Sequence, residues 1–424
     1  MSNAIQPYNR ALDGGLILKS ITEPADAERI AAFNGHIFGD MVAGMTRSLI
    51  HHHPASRPEY WLFVEDEATG QVVSSLALIE WTWRYEDVTL KSGEMGIVGT
   101  LDSYRNRGLI RQQVARHHEL LRRDGFDLSH IQGIPYFYRQ FGYEYAMPLE
   151  AGWQIELRDL PDSTSDEPAV YQVRRATCDD VPMLMRLYDE ANAALDIRTV
   201  RDEATWRYLL QHTAGTEMEA ETWLLLDANQ HIVGYWRVAL HGFGTGLIVS
   251  ETSRLRPDAC ETLLRWLKAA AIEREKPYIR FNLPVSNDLL RAARYRGARD
   301  AGTYTWQMHI VDAASLLRKL APVLERRVAA SPFAGLTKTL VINLYREAVE
   351  LRFEGGKLSQ VQGVGFREWG DINLPPLLLA PLVLGYRSRE ELEHMYPDVG
   401  MRGEAKFLAD VLFARLDAFL FTIY

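Results

Sequence analysis

"GIVGTLDSYRNRGLIRQQVARHHELLRRDG", residues 96 to 125, decides how the chain is read. An apolar run, "EMGIVGTL" from residue 94, has the composition of a strand and stops at a polar turn. After Gly108, apolar positions recur at helical spacing through Leu109, Ile110, Val114, His117, Leu120 and Leu121, until Gly125 ends the pattern. From 104 to 125 there are six arginines (105, 107, 111, 116, 122 and 123) against Glu119 and Asp124. A strand that turns through a glycine into a helix start presents outward backbone N–H groups and a positive helix end, a combination suited to phosphate. A Cβ at position 108 would keep a ligand from the backbone, and the guanidinium groups of Arg105 and Arg107 add charge for further phosphates. The window alone admits a second reading, an amphipathic surface helix whose arginines are solvated.

The chain as a whole is acidic: 47 Lys and Arg against 56 Asp and Glu give a net charge of -9 over 424 residues. That balance argues against nucleic acid as the main partner and suits small cationic acceptors. The length corresponds to about two to four domains. With 47% hydrophobic and 24% charged residues the chain is of ordinary globular composition. Two cysteines, Cys178 and Cys260, cannot form a disulfide framework and fit a reducing, cytoplasmic setting as ordinary buried thiols. The opening "MSNAIQPYNRALDGG" has no apolar signal core, and "LPPLLLAPLVLGY" near Leu374 is too short and proline-broken to span a bilayer.

Three segments follow along the chain. Up to residue 158, a helix at "ADAERIAAFNGHIF" precedes strands at "EYWLFVED", "QVVSSLALIEWTWRYE", "EMGIVGTL" and, past the arginine-rich helix, "DLSHIQGI". The polar stretch "DLPDSTSDEP", residues 159 to 168, reads as a linker. From 169 to 311 a similar order restarts. From 312 to 424 a helix at "DAASLLRKLAPVLERRV" leads to short strands, an apolar stretch around Leu377 to Leu384, and a helical stretch at "EAKFLADVLFARLDAFLF" before "TIY".

"RGLIR", followed about thirty residues on by "YRQFGYEYA", resembles the enhanced-intracellular-survival branch of the GNAT N-acyltransferases, which carries "RGLLR" and "YGRFGYG" at matching places. Arg105, Gly108 and Ile110 occupy the marked positions of the wider GNAT signature, Ile110 in place of its small last residue. The resemblance implies an α/β chain: tandem GNAT folds with mixed central sheets flanked by helices, then a sterol-carrier-protein-like α+β domain. Its boundaries would be 1–158 for the catalytic GNAT domain, 169–311 for a degenerate second one and 312–424 for the last. It implies acetyl-CoA as co-substrate and no metal. Ile97, Val98 and Gly99 would pair with the pantetheine arm, and Arg105, Asn106, Arg107, Gly108, Leu109 and Ile110 would wrap the pyrophosphate. Gly133 and Ile134 would touch the far side of the cofactor. Tyr138 falls on the family's general-acid tyrosine, and Tyr424 where the family uses a C-terminal carboxylate as base. The implied reaction is direct attack of a primary amine on the thioester. The implied assembly is a homo-oligomer, hexamers being frequent among such relatives, with no membrane span.

Six aromatic side chains stand between residues 136 and 145 (Tyr136, Phe137, Tyr138, Phe141, Tyr143 and Tyr145), and most must be packing. The spacing to Phe141-Gly142-Tyr143 selects Tyr138. Asp40 and Glu80 are alternative bases in the first segment, both more in keeping with surface or structural roles. "LIHHHP" has no acidic or cysteine partner at ligand spacing and reads as a loop. The apolar stretch near Leu377 could line a lipid tunnel, but core and subunit contact fit it better. Two further functions stay open: an acyltransferase using a longer acyl-CoA, and a non-catalytic acyl-CoA or lipid-binding protein.

Overall fold

The computed structural model describes residues 8–162 and 170–424; most of the linker stretch, residues 163 to 168, lies outside them. The first stretch builds, in chain order, strands β1 (Asn9–Leu12) and β2 (Leu16–Ser20), helices α1 (Pro24–Phe38) and α2 (Asp40–His52), then strands β3 (Trp61–Asp66), β4 (Gln71–Tyr85) and β5 (Val88–Thr100), helix α3 (Leu109–Arg123), and strands β6 (Leu128–Ile131) and β7 (Glu144–Pro148). The strands form one sheet in the order β1-β2-β3-β4-β5-β6, then Thr305–Ile310, then β7. All neighbours are antiparallel except β5 and β6, which run parallel because α3 carries the chain back across the sheet.

The arginine-rich helix forms as its pattern dictates. Leu109, Gln113, Val114, His117, Leu120 and Leu121 are buried against the sheet, and the arginines face out. Gly93 on β5 is bare because α3 packs there: a Cβ would stand 2.6 Å from Leu121 Cδ2.

A second sheet repeats the plan, with Leu247–Thr252 and Tyr278–Phe281 as its parallel pair and the helix Pro257–Glu273 between them. The two sheets exchange a strand. Trp153–Glu156, which follows β7 in the chain, pairs with Tyr278–Phe281 of the second sheet, while Thr305–Ile310 lies between β6 and β7 of the first. A five-stranded third sheet, in the order Lys357–Gly365, Ala348–Glu354, Lys338–Asn343, Ile372–Asn373 and Gly400–Met401, completes the α/β architecture.

Three local expectations are corrected. The helix expected over 312 to 328 is two helices, Ala313–Lys319 and Ala321–Ala329, because Pro322 cannot donate to the turn before it. The helix expected over 404 to 421 ends at Leu412; the remaining residues are extended, and Ala418–Phe419 joins Ile197–Thr199, itself paired with the far end of β4. "LIHHHP" is no free loop: His51 and His52 form the last turn of α2, whose apolar face (Val42, Met45, Leu49) is buried. The apolar stretch near Leu377 is core, with Leu378 to Leu384 all buried.

Candidate active site

The site begins where β5 and β6 part. Their pairing covers Ser92 with Leu128, Gly93 with Ser129 and Glu94 with His130, after which β5 continues to Thr100 and β6 stops at Ile131. A bulge bends β5 at that point. Ser75 opposes Gly99 and Ala77 opposes Gly96, so Ile97 and Val98 stand against the single residue Leu76. Ile97 takes φ +49°, a left-handed conformation that a β-branched residue rarely adopts and that costs on the order of 1–3 kcal/mol. The edge of β5 from residue 95 onward is left without a strand partner on the β6 side. Ile97, Val98 and Gly99 are therefore together on an open backbone edge, with Phe38 of α1 packed on Gly99.

The same strand leads to the turn. Arg105, Asn106, Arg107 and Gly108 are exposed, and Leu109 is buried as the first residue of α3. Asn106 and Gly108 have φ +63° and +74°, and the position a Cβ would take on Gly108 is open space. Helix α3 has neither a side-chain cap nor an acid in its first turn; Gln112 is the residue whose amide bonds back to the Gly108 carbonyl. The earlier amides are thus directed outward beside Arg105 and Arg107. Arg105 is held by Asp102 at 2.7 Å, and Arg107 lies over the Tyr104 ring at 4.7 Å. Such a donor set fits a diphosphate.

Across the opening, Gly133 and Tyr138 form one unit. A Cβ on Gly133 would come within 2.2 Å of Tyr138 Cδ2, so the ring lies directly on the glycine. The Gly133 carbonyl accepts from the Tyr304 hydroxyl at 2.5 Å and from Gln307 Nε2 at 3.1 Å, which fixes the segment. Ile134 is exposed. Tyr138 is buried, edge-on to Phe137, and burial pushes its phenol up to about 12. The neighbouring aromatics differ in environment: Tyr143 is core, bonded to Ser129, and Tyr136 is exposed.

Sequence reasoning missed Glu94. It lies on β5 three residues before the bulge, 4% exposed, and its carboxylate accepts from the Tyr424 hydroxyl at 2.9 Å and from Trp81 Nε1 at 2.9 Å. Its other acidic or basic neighbour is His130, whose Nε2 lies 4.0 Å away. Burial holds His130 neutral, down to about 3, so no cation compensates the carboxylate, and burial raises Glu94 to about 7. An acid at the head of the apolar run "EMGIVGTL" was the available signal. Its depth depends on the tail from residue 413 onward, in which Phe419, Leu420, Phe421, Ile423 and Tyr424 are all buried. Buried Arg201 holds that tail, donating Nε and Nη2 to the Thr422 carbonyl at 2.9 and 2.6 Å while pairing with Glu251 at 2.8 Å. The Thr422 hydroxyl donates to the Tyr424 main-chain oxygen at 2.7 Å.

Glu94 gives a pH signature. A rise from 4.5 to about 7 corresponds to roughly 3 kcal/mol. Between those values the unfolded chain ionises while the folded carboxyl keeps its proton, so stability falls as pH rises through the window and levels off above it. Glu94→Gln should remove that slope. Urea unfolding of both proteins at pH 5 and pH 7.5 reads it: the difference between them should shift in favour of the variant at the higher pH, and a pH-independent difference refutes the shifted carboxyl.

Of the other candidates, Asp40 is exposed and Glu80 is tied to Lys91 at 3.1 Å, so neither joins the opening. His52 stacks on His212, and His53 is buried at the end of α2; no group of residues able to hold a metal occurs among the described residues. Cys260 is buried with its thiol pushed up to about 12, whereas Cys178 is only half-buried. No helix among the described residues is long and apolar enough to cross a membrane.

Among curated proteins, none matches the chain. Among solved structures, a probable N-acyltransferase from Enterococcus faecalis superposes with a TM-score of 0.70 at 14% identity, over 96% of this chain and 100% of that one. A GCN5-related N-acetyltransferase from Anabaena variabilis gives 0.68 at 15% identity, over 96% and 99%. Eis1 from Mycobacterium abscessus gives 0.63 at 16% identity, over 96% and 100%. These likenesses are of fold and run nearly the whole length of the chain. Residues 26–146 match the family model described as an acetyltransferase (GNAT) domain, the stretch that holds the parted strands and the glycine turn. The chain thus carries a GNAT acetyltransferase domain in its first part.

Proposed function

We propose that the protein is an acetyl-CoA-dependent N-acetyltransferase whose acceptor is a primary amine. The observation that carries this is the open edge of β5 leading through exposed Arg105–Arg107 and Gly108 into the uncapped start of α3, inside the matched GNAT domain. Backbone groups of Ile97, Val98 and Gly99 would pair with the pantetheine arm, amides from Arg105 through Ile110 would take the diphosphate, and Gly133 and Ile134 would bound the far side. Bound acetyl-CoA supplies the thioester.

Tyr138 is the general acid of this reading. With its phenol at about 12 it is protonated at neutral pH and can donate to the departing sulfur. A thiolate formed beside a buried phenol is itself made more basic by burial, which narrows the mismatch between the two. The main-chain carboxylate of Tyr424 is the base that takes the amine's proton; the apolar surroundings of the chain end, where Phe419 to Phe421, Ile423 and Tyr424 are buried, support this. Holding amine and thioester together supplies much of the remaining acceleration. The net charge of -9 suits cationic acceptors such as polyamines and aminoglycosides.

The test is release of free CoA thiol from acetyl-CoA by protein with an untagged C-terminus, over a panel of polyamines, aminoglycosides and lysine peptides. Amine-dependent release is expected. Tight acetyl-CoA binding without release on any amine would overturn the acetyltransferase and favour a longer acyl donor or a binding protein without turnover.

A further inference from the structure

Beyond the contacts made by Arg415, Leu416 and Asp417, three contacts fix the tail from residue 418 onward. Ala418–Phe419 pairs with Ile197–Thr199, Arg201 grips the Thr422 carbonyl, and the Tyr424 hydroxyl reaches Glu94. The first two explain the path of the chain up to residue 422. Among the described residues, the Tyr424 side chain makes its hydrogen bond to the first sheet through Glu94.

Stability does not explain Glu94. A carboxylate buried without a cation is a cost that an apolar side chain of similar size would avoid. Every element packed against it leaves it uncompensated: β4 contributes Trp81, β6 contributes the neutral His130, whose Nε2 has no hydrogen-bond partner, and the tail contributes a phenol. Trp306, from the exchanged strand, closes the site edge-on to Trp81 and His130. His130 is held in turn through Nδ1 by Ser92, from the strand that carries Glu94. Both carboxylate oxygens are therefore oriented, one of them toward Tyr424. The carboxylate also sits on β5 three residues before the bulge, so whatever it holds is registered against the open edge on which the acyl donor would lie.

We infer that Glu94 is a positioning residue: it seats Tyr424 through the phenol hydroxyl and so fixes the end of the tail against the open edge of β5 for turnover. The inference rests on the base assigned to Tyr424 above. It also gives the tyrosine side chain at 424 a role distinct from that of its carboxylate, which any residue there would supply.

The experiment uses the full chain, with Tyr424→Phe, Glu94→Leu and Glu94→Gln, beside a chain extended by one glycine. Three quantities are read: kcat and KM for the acceptor amine, the Kd for acetyl-CoA, and hydrogen exchange at residues 418–424. Tyr424→Phe and Glu94→Leu should each raise exchange at the tail and lower kcat by roughly tenfold, the scale of one hydrogen bond to a charged group, with the acetyl-CoA Kd within about twofold. Glu94→Gln keeps an oxygen for the hydroxyl and should restore most of both. A general loss of folding would instead change the acetyl-CoA Kd and would not be rescued by glutamine. If Tyr424→Phe and Glu94→Leu match the wild type in exchange and kcat while the extended chain is inactive, the seat is wrong and the base assignment stands. If exchange rises but kcat is unchanged in all variants, the extended chain included, the base assignment is wrong and the seat has no part in turnover.

Discussion

Tyr138→Phe should lower turnover by roughly a hundred- to ten-thousand-fold, the usual contribution of a positioned general acid. The change removes one oxygen and leaves the ring. The ring lies on Gly133 and packs edge-on against Phe137, and none of that contact needs the hydroxyl. Acetyl-CoA affinity, measured by calorimetry, should therefore stay within a few-fold of the wild type, because no atom of Tyr138 belongs to the proposed diphosphate cradle. The loss should appear in kcat and in kcat/KM alike, as for an interaction made only in the transition state. Tyr143→Phe is the internal control. That tyrosine hydroxyl is committed to Ser129 in the core, so its loss should weaken folding and leave the chemistry of surviving protein intact. Unchanged turnover in Tyr138→Phe removes the residue from the mechanism.

The turn at Gly108 and the helix after it were legible because their signals are local. Gly108 requires a left-handed backbone, the helix after it has a clear apolar stripe, and both are decided within a few residues. What remained hidden depends on distant partners. "WQIE" and "TWQMHI" are short strands of similar character, and nothing within either says that the first joins the second sheet and the second joins the first. Helix α2 was passed over because Gly39, Gly44 and the histidine run mask the spacing of Val42, Met45 and Leu49; the face becomes evident only with Tyr208 and His212 lying against its end. The tail from 413 has apolar composition that suits a helix, yet capture by Ile197–Thr199 and Arg201 holds it extended. Glu94 is the same case at a single residue. An acid at the start of an apolar run reads as a solvated strand end, and the partner that buries it lies 330 residues away.

Adding one glycine after Tyr424 should cost about a hundredfold or more in kcat. The added peptide bond turns the carboxylate into an amide, which has neither the charge nor the basicity to take a proton from an ammonium group. It also asks a buried tail to carry two further backbone groups in a place where Ile423 and Tyr424 are already packed. The phenol need not move, since its bond to Glu94 and the Arg201 grip on Thr422 lie upstream of the added residue. Acetyl-CoA binding should be unchanged for the same reason: the cradle at Gly108 takes nothing from the tail. Loss of turnover with retained acetyl-CoA affinity and retained exchange protection at 418–422 isolates the terminal carboxylate as the missing group. A fully active extended chain would release Tyr424 from the role of base and pass it to the one carboxyl of this region already poised near neutrality, Glu94 at about 7, a hydrogen bond away from the same tyrosine.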